Sequence, residues 1–159
     1  ELEVCYKIKK NFFNEKKIIN FKNIGQFISH TAPCIEIVGY RQKKYGIKYL
    51  GDLCSDFGAN IKFIVGKEKK YKKVSIGKLK TKIENPNNNY SVIGNTNTVF
   101  VNPLNSLKFV LNKLKKDKIH LNRNFYVFTG STVGIVQIKN KGIYLGKIDK
   151  IGTVKTKII

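Results

Sequence analysis

The sequence predicts a β-rich α+β domain. Short apolar or alternating segments recur along its 159 residues, separated by Gly, Asn and Pro. Only two segments read as helices. A hydrophobic fraction of 42% over this length is enough for one packed core, which fits a single domain over 1–159.

Residues 2–8 alternate as a strand, with Val4, Tyr6 and Ile8 opposite Glu1 and Glu3. Residues 11–17 are polar and basic and read as a loop. Asn20 is placed to cap a helix over 21–30 with Ile24, Phe27 and Ile28 as its apolar stripe, and Pro33 is expected to break it. A second strand follows over 34–40, then a basic linker turning at Gly46. The small-residue segment 52–60 leads into a strand over 61–65. A weak strand over 74–83 and its partner over 90–93 flank the turn signal Asn85-Pro86-Asn87-Asn88-Asn89. Asn102 and Pro103 start a helix to about Lys116, with Leu104, Leu107, Leu111 and Leu114 on one face. Strands over 125–128, 144–148 and 153–158 complete the chain, the first running into Thr129-Gly130-Ser131-Thr132-Val133-Gly134.

No apolar run reaches the length of a membrane span, and no signal-peptide pattern is present. Cys5, Cys34 and Cys54 lie in or beside apolar segments and read as buried free thiols, placing the chain in the cytoplasm or another reducing compartment such as an organellar matrix. His30 and His120 are isolated and read as surface or capping residues. The net charge of +21 points to anionic partners, an RNA or an acidic assembly. Heavy use of Lys, Asn and Ile with little Arg is also what biased coding composition produces, and both explanations stand.

Against that charge, the positions of three of the ten acids stand out. Glu1 and Glu3 share one face of a strand, and Glu36 interrupts the apolar run of Ile35, Ile37 and Val38. A carboxylate there is costly unless it is paired or bound to a cation, and three such oxygens suit Mg²⁺ or Mn²⁺. The alternative is a terminal acid and two solitary edge-strand acids with no ligand. The segment Thr129 to Gly134 places two glycines around hydroxyls, either as a tight turn or as a backbone cradle for a carboxylate.

Six motifs then occur in order: Glu1-Leu2-Glu3-Val4, Pro33-Cys34-Ile35-Glu36-Ile37-Val38, Asp52-Leu53-Cys54-Ser55-Asp56, Asn102-Pro103-Leu104-Asn105-Ser106-Leu107, Thr129-Gly130-Ser131 and Gly152-Thr153-Val154. Together they resemble the C-terminal catalytic portion of the 2-oxopent-4-enoate hydratase and 4-oxalocrotonate decarboxylase group of the fumarylacetoacetate hydrolase superfamily. The resemblance implies a curled mixed β-sheet roll or barrel with two helices. It implies a divalent cation on Glu1, Glu3 and Glu36, and a small 2-oxo acid hydrated or decarboxylated through a metal-stabilised enolate. Ser131 and Gly130 would meet the substrate carboxylate, with Asp56 and Arg41 in the same pocket. A homo-oligomer is the expected assembly. The proton-transfer lysine of the group would lie upstream of this chain, whose start on Glu1 without any Met leads us to expect a preceding segment.

Gly39, Phe57 and the run Asn95-Thr96-Asn97-Thr98 depart from the group's pattern and leave the triad intact. The departures, the missing lysine and the charge support a second reading, a family member retired from catalysis into a large RNA-containing or membrane-bound assembly. A third, hydrolysis of an acylpyruvate, is disfavoured because sister branches more often carry Asp where Glu36 stands.

Overall fold

The structure is a computed structural model that describes residues 1–41, 48–73 and 75–159. Two sheets pack against each other. The first has the order β3-β2-β1-β7, from Asn60–Val65, Ile28–Val38, Leu2–Ile8 and Phe125–Ser131, with the two-residue β4 (Lys69–Lys70) also on β2. The second has the order β6-β5-β8-β9, from Tyr90–Asn95, Lys80–Asn85, Gly142–Ile148 and Gly152–Ile158. The strand-rich α+β class is as expected, with the sheet curled into a half-barrel. Every strand pairing among the described residues is antiparallel, so the mixture is one of helix with strand.

Alternation in β1 divides its side chains cleanly. Leu2, Val4, Tyr6 and Ile8 are buried in the core between the sheets, where they meet Ile35, Ile83, Ile148 and Val154. The packing is close: a Cβ on Gly146 of β8 would lie 2.6 Å from Leu2 Cδ1. A larger residue there would push apart the layer that fixes β1, and with it Glu1 and Glu3. Two threonines fasten β7 to the same strand, Thr132 Oγ1 donating to the Leu2 carbonyl and Thr129 Oγ1 to that of Val4, both at 2.8 Å.

Helix α2 runs over Pro103–Lys116, as its spacing predicts. Asn102 caps it by accepting from the Leu104 N–H at 3.0 Å, and Leu107 and Leu111 are fully buried, each stabilising the fold by about 1.5–3 kcal/mol.

The helix expected over 21–30 does not form. The Asn20 carboxamide closes a short turn by accepting from Lys22 and Asn23, one 3-10 turn covers Ile24–Phe27, and β2 begins at Ile28. Pairing with β1 overrides the helical spacing of Ile24, Phe27 and Ile28. Pro33 therefore stands inside a strand. Its carbonyl accepts from Gly66 N–H, so its missing donor faces the gap where the ladder passes from β3 to β4. The second helix is instead α1, Leu50–Ser55.

The 11–17 segment is less polar in practice than its charge implies: a 3-10 turn over Lys10–Asn14 drives Phe12 into the core against Phe13, Phe27 and Phe125. Cys5 and Cys34 are buried free thiols, but Cys54, on α1, is exposed, because that helix buries none of its residues. The strand expected over 74–83 lies at Lys80–Asn85, and the turn expected at Gly46 falls outside the described residues. Among those residues no helix is long and apolar enough to cross a membrane.

Candidate metal centre

The β1–β2 ladder places Glu3 opposite Cys34 and continues outward to Glu1 and Glu36. The Glu1 nitrogen donates to the Glu36 carbonyl at 2.9 Å and the Glu36 N–H to the Glu1 carbonyl at 3.1 Å. Opposed residues share a face, so all three carboxylates project from the side of the sheet away from Leu2 and Val4. One oxygen from each lies within 4.8 Å of the others.

Two neighbours hold these carboxylates. Gly130 N–H donates to Glu3 Oε2 at 2.9 Å, and Asn60 Nδ2 donates to Glu36 Oε1 at 2.7 Å. Gly130 sits at φ +108°, where β7 shifts register between its pairings with Glu3 and Cys5. Only glycine adopts that backbone readily, and the bulge aims its N–H at Glu3. Burial raises the Glu3 carboxyl to about 8; the Gly130 N–H opposes the rise, and the adjoining Glu36 and Glu1 add to it. Glu1 is also pushed up, by burial first, the terminal ammonium opposing and Glu36 adding. Among the described residues, no ion pair joins any of the three to a lysine, arginine or histidine side chain.

This donor set fits a hard divalent cation. Oxygens around octahedral Mg²⁺ are about 3 Å apart when adjacent and about 4 Å apart when opposite, given metal–oxygen distances near 2.1 Å. The observed oxygens, within 4.8 Å of one another, need only a small contraction to reach that size, and among the described residues the charge beside them is the terminal ammonium of Glu1 rather than a lysine, arginine or histidine side chain.

The carboxylates open into a cavity of about 870 Å³. Its walls are Phe63 of β3, Phe128 of β7, Phe109 and Val110 of α2, and Leu53, Phe100 and Ile135, with hydroxyls from Ser106, Thr129 and Tyr40. Phe63 and Phe128 come from strands on opposite sides of the β1–β2 pair and stack in parallel, centroids 3.7 Å apart. A second cavity of about 230 Å³ also reaches Glu1 and Glu36, lined by Ile35, Ile83, Ile138, Tyr144 and Ile158 among others.

The sequence-predicted site residues do not all converge. Gly130 lies against Glu3, as described. Ser131 does not line either cavity; its hydroxyl donates to the Gly134 carbonyl at 2.9 Å. Arg41 and Asp56 are outside both cavities too and bind each other, Arg41 Nη1 to Asp56 Oδ1 at 2.9 Å. Arg41 also donates to the Asn60 carbonyl, so the pair braces the residue that holds Glu36. Asn60, Phe63 and Phe128 were not evident as site residues in the sequence. Their signal lies in the β2–β3 and β1–β7 registers, which set Phe63 opposite Glu36 and Phe128 opposite Cys5.

No protein-family model and no curated protein sequence matches this chain. Solved structures do. The chain superposes over its full length on 4-oxalocrotonate decarboxylase from Pseudomonas putida G7 complexed with magnesium and adipate, with a TM-score of 0.83 and 19% identity. The same enzyme complexed with calcium and acetate gives 0.81 at 19% identity. The chain spans 59% of the length of each. It therefore has the curled, strand-rich fold of these structures.

Proposed function

We propose that this chain is the catalytic portion of a divalent-metal-dependent lyase acting on a small 2-oxo acid, with Glu1, Glu3 and Glu36 holding Mg²⁺ or Mn²⁺. The observation that carries the reading is the meeting of three carboxylates, with no lysine, arginine or histidine side chain paired to them among the described residues, at the mouth of an apolar cavity. The fold neighbours, described with magnesium or calcium, agree with it.

Gly130 and Asn60 each engage one oxygen, of Glu3 and of Glu36, and the two carboxyl groups also hydrogen-bond to each other. Burial and the neighbouring carboxyl groups raise the Glu3 carboxyl to about 8, so a cation held there would compete with its proton. A cation held by Glu1, Glu3 and Glu36 would supply Lewis-acid stabilisation of negative charge developing on a 2-oxo acid. Aromatic side chains, Phe63, Phe109 and Phe128 among them, line the cavity beside the carboxylates. Gly130, which lines the cavity against Glu3, is our candidate for lying against the substrate carboxylate, while Ser131 stays outside it and Arg41 and Asp56 act through Asn60.

Calorimetric titration with Mg²⁺, with and without oxalate as an enolate mimic, tests this. Saturable binding that oxalate tightens supports the lyase. Absence of metal binding contradicts it and favours the second reading, a basic subunit retired from catalysis, for which the +21 charge speaks.

A further inference from the structure

We propose that the substrate is a 2-oxo monocarboxylic acid with an apolar tail, unsaturated or aryl, and that dicarboxylic 2-oxo acids are rejected. This rests on the metal-site reading above and goes further, because it selects between hydration of a monoacid and decarboxylation of a diacid.

The first argument is an absence set against a surplus. Lys and Arg make up 31 of the 159 residues, yet among the described residues lining the two cavities that meet at the carboxylates there is no lysine, arginine or histidine. The acid end of a substrate can bind through the cation. A second carboxylate at the far end of the chain would have to be desolvated without a partner, which is costly.

The second argument is the make-up of the centre itself. Three carboxyl groups meet within 4.8 Å of one another at the head of the cavity. A distal carboxylate on the substrate would add a further acid to a cavity that already holds three, and like charges placed close together are disfavoured.

The third is the shape and chemistry of the walls. The parallel Phe63–Phe128 pair presents flat aromatic surface beside Glu36 and Glu3, and Phe109, Val110 and Ile135 continue it. A planar conjugated or aryl tail stacks on such a surface, and a saturated one gains about fourfold in affinity for each methylene it buries.

The test uses the whole chain with Mg²⁺ and compares dissociation constants for oxalate, pyruvate, 2-oxohexanoate and 2-oxoadipate, the last two having equal chain length and differing in the terminal carboxylate. The expected order places 2-oxohexanoate tighter than pyruvate and at least about tenfold tighter than 2-oxoadipate. Phe109→Lys, which puts a cation on the cavity wall, should narrow or reverse that preference. Equal or tighter binding of 2-oxoadipate by the unmodified chain overturns the inference while leaving the metal site standing. If Mg²⁺ and oxalate fail to bind together, the metal-site reading falls and takes the inference with it.

Discussion

One face of the β1–β2 pair meets acidic side chains at both ends, and they are held in opposite ways. At one end Glu68 is surrounded by partners: Lys7 Nζ at 3.0 and 3.2 Å, the Tyr126 hydroxyl, and His30 Nδ1 at 3.9 Å. The Tyr126 hydroxyl and Lys7 hold its carboxyl below the ordinary value. At the other end Glu1, Glu3 and Glu36 face one another, and Glu3 is pushed up to about 8. Buried Cys5 and Cys34 lie between the two on the same strands. Most remaining acids resemble Glu68: Asp56 pairs with Arg41, Glu84 with Lys82, Asp117 with Lys113 and Asp149 with Lys147. In a chain so rich in lysine a carboxylate finds a cation easily. Three buried or half-buried ones that pair with no lysine, arginine or histidine among the described residues are what the proposed cation site rests on.

The largest effect should come from removing a ligand. Glu36→Gln should weaken Mg²⁺ binding by more than the roughly 10–100-fold that loss of a supporting partner costs, read by calorimetry. Asn60→Ala removes only the donor to Glu36 and should fall within that roughly 10–100-fold range.

Protonation sharpens the contrast. Glu3 has its carboxyl raised in the folded state, so its contribution to stability is fully present below its ordinary value of 4.5 and is lost as pH rises toward about 8. Glu68 has the reverse shift, and its contribution is present above 4.5 and lost as pH falls through its lowered value. Metal-free protein should therefore show a Glu3-dependent decline in melting temperature between pH 4.5 and about 8, and Glu3→Gln should remove that component. Over the same interval metal affinity should climb by up to about tenfold per pH unit as the Glu3 proton is displaced. The smallest effect belongs to the compensated end. Glu68→Gln should cost no more than about 1 kcal/mol in chemical denaturation and leave Mg²⁺ affinity unchanged, since the pair is partly exposed.

Much of the metal centre was legible because period-two alternation alone puts Glu1 and Glu3 on one face. The Asn102–Pro103 start and leucine spacing likewise specified α2. The segment from Phe21 to His30 misled for a physical reason: its apolar spacing suits a helix, but β1 offers Ile28 and the residues after it a full ladder. The donors to Glu3 and Glu36 were not legible. Gly130 reaches Glu3 only through a register shift in β7, and Asn60 reaches Glu36 only once β3 lies on β2. Nor did composition reveal that no lysine among the described residues lines the two cavities at the carboxylates, since that is a property of the packed chain.

The most direct test is the melting temperature of the unmodified chain at about pH 8, with and without Mg²⁺ in large excess. At about a hundredfold over the dissociation constant, binding to the folded state alone adds about 2.7 kcal/mol, a rise of roughly 5–10 °C for a chain of this size. That rise, absent in Glu36→Gln, is the predicted result. A melting temperature indifferent to Mg²⁺ and Mn²⁺ would mean that the three glutamates hold no cation, and would contradict the proposed metal centre.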